Sequence, residues 1–205
     1  MIKRSVTALI LVIMLLCIGL KGCPDKNTAL NYSEHAESDG FYIAVNKRAN
    51  CCFVGYYDCK EYTDNMEITI PDEYKSIPVK RIGGYFGRGY PVPFGISMGD
   101  LYNNVPEGSE YNAVYSGDIR QYDFEDNYSV ENLVFTVNIG KNIDTIVNVD
   151  MDVYYTNINK DGSITFYHPV VYVNCSDENK HFYSKSGKLY YKETNELVSD
   201  FSYVS

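Results

Sequence analysis

The sequence predicts a mainly β fold, and three observations carry that prediction. Tyrosine dominates the aromatic content, with 21 Tyr against 9 Phe and no Trp in 205 residues. Its ring suits strand positions that are half-buried and keep one wet edge. Short β-branched and aromatic runs recur from Gly40 onward, separated by polar stretches with turn chemistry. No segment carries the apolar spacing of a long amphipathic helix.

Composition sets the outer bounds. Apolar residues make up 45% and charged residues 22%, a globular balance that excludes a wholly disordered chain. The 18 Lys+Arg stand against 27 Asp+Glu, for a formal charge of −9. That acidity argues against nucleic acid as a partner, because such binding needs cations to displace counterions from phosphates.

The elements follow in order. Residues 1–22 read as a signal peptide: Lys3 and Arg4 precede an apolar run from Val6 to Leu20. A membrane span needs about 20 such residues, so this run fits an export signal better than a permanent anchor. Residues 23–39 are polar after Cys23 and predict a flexible, irregular tether. Residues 40–205 predict a single β-rich domain, long enough to bury roughly 70% of its unfolded surface. GFYIAVN, CCFVGYY and MEITI open it as strands. The Gly/Pro-rich stretch near 83–108 predicts a long loop with few ladder bonds. Strands resume with NLVFTVNI, DTIVNV, YYTNI and SITFYHPVVYV, the last two flanking a turn at Asn159–Gly162. The tail predicts two C-terminal hairpins, turning at Ser186-Gly187 and near Thr194-Asn195. Residues 66–82, 133–146 and 164–173 should therefore be β and partly buried.

Leu20-Lys21-Gly22-Cys23 resembles the lipobox of bacterial lipoproteins, in which a Leu, two small residues and a Cys are read by a dedicated peptidase. Leu20, Gly22 and Cys23 match; Lys21 stands where a small or uncharged residue is usual. The resemblance implies that Cys23 is lipidated and becomes the mature N-terminus. Cleavage there removes Lys3, Arg4 and Lys21 and no acid, which takes −9 to −12. Anionic headgroups repel such a surface, so membrane contact is expected through the lipid anchor only.

Ile68-Thr-Ile-Pro71 is followed by Ile77-Pro-Val-Lys-Arg-Ile-Gly83, and Leu133-Val-Phe-Thr-Val-Asn-Ile-Gly140 by Asn142-Ile143 and Ile146. A third piece, Val171-Tyr-Val173, leads into DENKHFYSKSGKLYYKETNELV, where Asn179, Phe182, Tyr183, Ser184, Gly187, Leu189 and Tyr190 fall into a hairpin pattern. These pieces resemble the BspA-type leucine-rich-repeat proteins of bacterial cell surfaces, as degenerate or interrupted units. The resemblance implies a short-strand, leucine-rich-repeat-like solenoid whose inward Ile, Leu and Val are buried only against the next coil. It also implies surface adhesion or partner binding.

Chemistry-bearing residues are sparse. Export permits disulfides, and vicinal Cys51 and Cys52 face opposite sides of a strand, so at most one can reach Cys59. Cys52 and Cys59 are the candidate pair, against a reading of buried, inert thiols. The Cys spacing lacks the clustered His of a zinc pattern. Asn157 to Gly162 copies the start of a calcium loop, but the twelfth position is His168 rather than an acid, which favours a polar hairpin turn. No metal site and no cofactor is expected. No motif of a serine nucleophile, a metalloprotease or a phosphate loop is present, so the chain is not expected to be an enzyme. The expected function is that of an exported, lipid-anchored cell-surface protein facing outside the cytoplasm, binding a protein or glycan. The alternative is an exported hydrolase acting on polysaccharide or cell-wall material. Strand alternation points Val171 and Val173 inward and Tyr172 outward, and pairs Tyr183 with Tyr190 on one hairpin face. Tyr172, Tyr183 and Tyr190 are the candidate partner-binding residues, since Tyr is enriched at interfaces.

Overall fold

The computed structural model describes residues 34–60, 62–86, 90–98, 109–116, 127–147, 149–151 and 153–198. Cys23, the signal segment and the tether up to residue 33 lie outside the described residues. The described chain is all β. In order, β1 (Glu34–Ser38), β2 (Phe41–Asn46) and β3 (Cys51–Asp58) form an antiparallel meander. β4 (Met66–Thr69), β5 (Glu73–Tyr74) and β6 (Ile77–Ile82) follow, then β7 (Gly84–Phe86), β8 (Tyr90–Val92) and β9 (Ile96–Ser97). β10 (Ser109–Ser116), β11 (Tyr128–Ile139), β12 (Thr145–Ile146), β13 (Val153–Asn159) and β14 (Ile164–Cys175) lead to a hairpin of β15 (Phe182–Lys185) and β16 (Lys188–Tyr191).

Two sheets share one core. The first runs β1-β2-β3-β6-β12, with β3, β6 and β12 parallel. The second runs β10-β13-β14-β11-β4, with β4, β11 and β14 parallel. Parallel neighbours cannot be joined by a tight turn. Here the connection from β4 to β11 passes through β6, and that from β11 to β14 passes through β12. The three similar sequence pieces meet in register: Ile68 and Val173 both pair with Val137, and Cys175 pairs with Ile139. Ile68, Ile70, Val137, Ile139 and Val173 are all buried in the same cluster as Val54, Val79 and Ile82 of the first sheet. Period-2 alternation sends every second side chain of these strands into that core.

The strand expectation holds throughout 164–173, and over 66–82 and 133–146 apart from the links at 70–72, 75–76 and 140–144. Two boundaries are corrected. The tether was expected to stay irregular to residue 39, but Glu34–Ser38 pairs with β2 over five rungs. An edge strand needs an apolar side only where it packs, and His35 supplies one by stacking on Tyr42 at 5.5 Å. Glu34 and Glu37 leave that edge charged, which discourages pairing with another chain. The Gly/Pro-rich stretch was expected to be a long loop, but its described residues hold β7, β8 and β9, while 87–89 and 99–108 lie outside the described residues. Its hairpin covers Ala44, Cys51 and Phe53 on the far face of β2 and β3. Gly84 makes this possible, because a Cβ there would sit 2.9 Å from Phe53 Cδ1.

Candidate functional site

The second sheet turns a polar face away from the core, and the pairing register builds it. Thr69, Asn138 and Asn174 occupy one rung of the parallel strands. Asn138 Nδ2 donates to Thr69 Oγ1 at 3.2 Å, and Asn174 Nδ2 donates to Asn138 Oδ1 at 3.2 Å. One rung earlier Tyr172 stands beside Thr136 and is 49% exposed, as alternation requires when Val173 is buried. Its ring rests on the hairpin turn, where Gly187 at φ +73° leaves room for it.

The hairpin itself finishes the sheet. Val173 N donates to Gly187 O at 2.8 Å, and Cys175 N donates to Ser184 Oγ at 3.0 Å. β15–β16 thereby satisfies the edge of β14 that β13 leaves open. Tyr183 and Tyr190 pair on its outer face, half-buried and stacked with centroids 5.3 Å apart. Tyr183 Oη donates to Asn195 Oδ1 at 3.3 Å. Phe182 and Tyr191 occupy the other face, as alternation predicts. The structure brings Tyr183 and Tyr190 together. Tyr172 makes no ring–ring contact among the described residues, so the three candidates form one stacked pair and one separate exposed ring.

Asn179 anchors the hairpin from below. It is buried, and its Nδ2 donates to the carbonyls of Gly140 and Ile143 at 2.8 and 3.0 Å. Its Oδ1 accepts the amides of His181 and Phe182 at 2.8 and 2.9 Å. All four hydrogen bonds available to an Asn side chain are made.

The candidate Cys52–Cys59 bridge is not formed, and the alternative reading of buried thiols describes Cys51, Cys52 and Cys59. The reason is geometric. The two thiols sit at opposite ends of β3, roughly 20 Å apart along extended chain, where a disulfide needs Cα atoms within about 7 Å. Cys52 Sγ instead points at Ile77 O at 3.9 Å, and Cys59 Sγ at Met66 Sδ at 3.7 Å. Cys51 and Cys52 do face opposite sides of the strand, one in each apolar cluster. Burial pushes Cys52 and Cys175 up to about 11 and raises Cys59, so these thiols stay protonated and unreactive. The Asn157–Gly162 segment is a hairpin turn, in which Gly162 N donates to Asn159 O at 2.9 Å. Asp161 Oδ1 accepts both the amide and the hydroxyl of Ser163, at 2.9 and 2.6 Å. Those hydrogen bonds, the hydroxyl's first, hold its carboxyl below the usual range. Among the described residues no three His, Cys, Asp or Glu gather to hold a metal ion.

A second feature has no counterpart in the sequence expectations. A cleft of about 290 Å³ opens between β1 and the β5–β6 hairpin, with Lys47, Tyr74 and Lys75 on its rim. The hairpin turns through Lys75 and Ser76, at φ +49° and +62°. Left-handed backbone costs a non-glycine residue about 1–2 kcal/mol. The one available signal was a two-residue link between Tyr74 and Ile77 that lacks the usual Gly, and it reads as ordinary chain. Comparison with protein-family models, with curated proteins and with solved structures finds no match for this chain.

Proposed function

We propose that this chain is an exported, lipid-anchored cell-surface protein of bacterial type, whose degenerate leucine-rich-repeat-like solenoid binds a protein or glycan partner. The observation that carries the reading is the in-register stacking of Ile68-Thr-Ile70, Val137-Asn-Ile139 and Val173-Asn-Cys175 as parallel strands. Stacking short similar strands in parallel is how a solenoid buries its core, and two of the three pieces, β4 and β11, lead on to β6 and β12, which pair in the parallel stack of the first sheet. The meander β1–β3 and the hairpin β15–β16 act as its end caps. A solenoid sheet offers an extended face, and here that face carries Tyr172, Asn138 and Asn174. The LKGC segment supports anchoring at Cys23, and two acyl chains satisfy the need for more than one lipid signal.

Labelled palmitate and display on intact cells test the two halves. Palmitate should label the wild-type chain and not Cys23→Ser; equal labelling sinks the anchor. Cells displaying the chain should bind a subset of an arrayed glycan and surface-protein panel, and Tyr172→Ala at equal display should lose those signals. Signals unchanged in Tyr172→Ala remove the proposed face.

A further inference from the structure

We infer that the cleft between β1 and the β5–β6 hairpin is a binding site for a single carboxylated sugar ring. The inference goes beyond the Tyr172 face and depends on neither the anchor nor the solenoid reading.

Charge is the first argument. The chain carries nine more acids than bases, yet this cleft gathers Lys47 and Lys75 at its rim against one acid, Glu34. Lys47 Nζ meets Glu34 Oε1 at 2.7 Å and cancels it. Lys75 makes no ion pair among the described residues. Its ammonium rests 5.0 Å from the centre of the Tyr74 ring, a cation–π contact that holds the charge in place without neutralising it.

Backbone strain is the second. Three hairpins turn in two residues with both at positive φ: Asp39-Gly40, Lys75-Ser76 and Ser186-Gly187. Two of them place Gly second, as such turns prefer. Only the turn at the cleft has no glycine, and Lys75 is the only described residue with a long side chain at positive φ. A strained turn persists where the surrounding structure enforces it, and such positions cluster at ligand clamps. The strain here orients Lys75 on the rim.

The walls give the ligand class. Val45 and Ile77 supply an apolar side, and Tyr74 supplies a ring with a hydroxyl. An apolar wall below a rim of donors suits a ring with a C–H face and equatorial hydroxyls, and Lys75 adds the demand for an anion. About 290 Å³ is at the small end of ligand pockets, which fits one ring rather than a chain.

The test titrates the purified full-length chain in detergent with sodium D-glucuronate, D-glucose and sodium acetate, read by ligand-observed NMR. Glucuronate should saturate, with glucose and acetate at least tenfold weaker. Lys75→Gln keeps the strained backbone and removes the charge, so it should weaken glucuronate at least fivefold at an unchanged thermal midpoint. Lys75→Gly should weaken binding equally while raising the midpoint, because it relieves the turn. Ser76→Gly should raise the midpoint and keep binding. Absence of saturable glucuronate binding, acetate or glucose binding equally well, or wild-type affinity in Lys75→Gln would each overturn the assignment.

Discussion

The ring of Tyr172 lies over the Cα of Gly187, so closely that a Cβ at residue 187 would stand 2.5 Å from Tyr172 Cδ1. Gly187 also turns at φ +73° and accepts a hydrogen bond from Val173 N. One residue thus closes the hairpin, seals the sheet edge and seats the exposed tyrosine. Gly187→Ala should cost about 1–2 kcal/mol from its backbone alone, plus the clash. In a Tyr172→Ala background the ring's part of the clash should vanish, leaving the backbone part and a 3.3 Å approach to the Cβ of residue 172. Urea unfolding of the two single variants and the double variant measures that coupling; strictly additive effects would refute the contact.

Asn179 predicts a larger loss. Its side chain joins Gly140 and Ile143 on one side to His181 and Phe182 on the other. Asn179→Ala leaves two carbonyls and two amides without these partners, and each abandoned buried group costs about 1–3 kcal/mol. The chain should lose several kcal/mol in urea unfolding, with the hairpin region exchanging amide protons first. A loss below about 1 kcal/mol would mean that water replaces the side chain freely.

How far the sequence reaches can be seen at particular residues. Ile68-x-Ile70 and Val137-x-Ile139 are legible because alternation with period 2 is local, and the turn at Ser186-Gly187 is legible because its chemistry is local. Pairing order is not local. Nothing in the run YYTNI says that β13 inserts between β10 and β14, because that choice is made by contacts distant in sequence. β1 was missed for a related reason: a polar edge strand such as EHAES needs only one partner, and its apolar signal is weak. The Cys52–Cys59 candidate does not form because the intervening FVGYYD runs extended as β3, and sequence spacing alone does not say whether such a run stays straight. The cleft was invisible because the turn that forms it uses Lys-Ser in place of the glycine that marks such turns.

The buried thiols predict alkaline sensitivity. Cys52 and Cys175 are raised from about 9 to about 11, by burial first. A folded pKa above the unfolded one means that the fold favours the proton. That stability is complete below about pH 9 and is lost as pH rises through about 11. Burial raises Tyr42, Tyr57 and Tyr155 in the same sense. The thermal midpoint should therefore be level up to about pH 9 and then fall, and Cys52→Ala should fall less steeply. A midpoint that rises over that interval contradicts the assignment.

Tyr172 and Tyr190 should separate binding from stability. Tyr172 is about half exposed, with its ring on a glycine and no ring partner among the described residues. Surface substitutions of this kind usually stay within about 0.5 kcal/mol, so Tyr172→Ala should leave the thermal midpoint nearly unchanged. If Tyr172 is an anchor for the partner, the same variant should lose at least about 1–2 kcal/mol of binding. Tyr190 is half-buried, stacked on Tyr183, and flanked in its strand by buried Leu189. Its removal forfeits about 0.5–1.5 kcal/mol for the aromatic pair, as well as its own burial, so Tyr190→Ala should lower the midpoint by several degrees. Melting curves and titration against one bound panel member, run on both variants, give a two-by-two outcome. A Tyr172→Ala chain that melts early and loses binding in proportion would make Tyr172 a packing residue, and the polar rung of Thr69, Asn138 and Asn174 would be left without its aromatic neighbour as a recognition face.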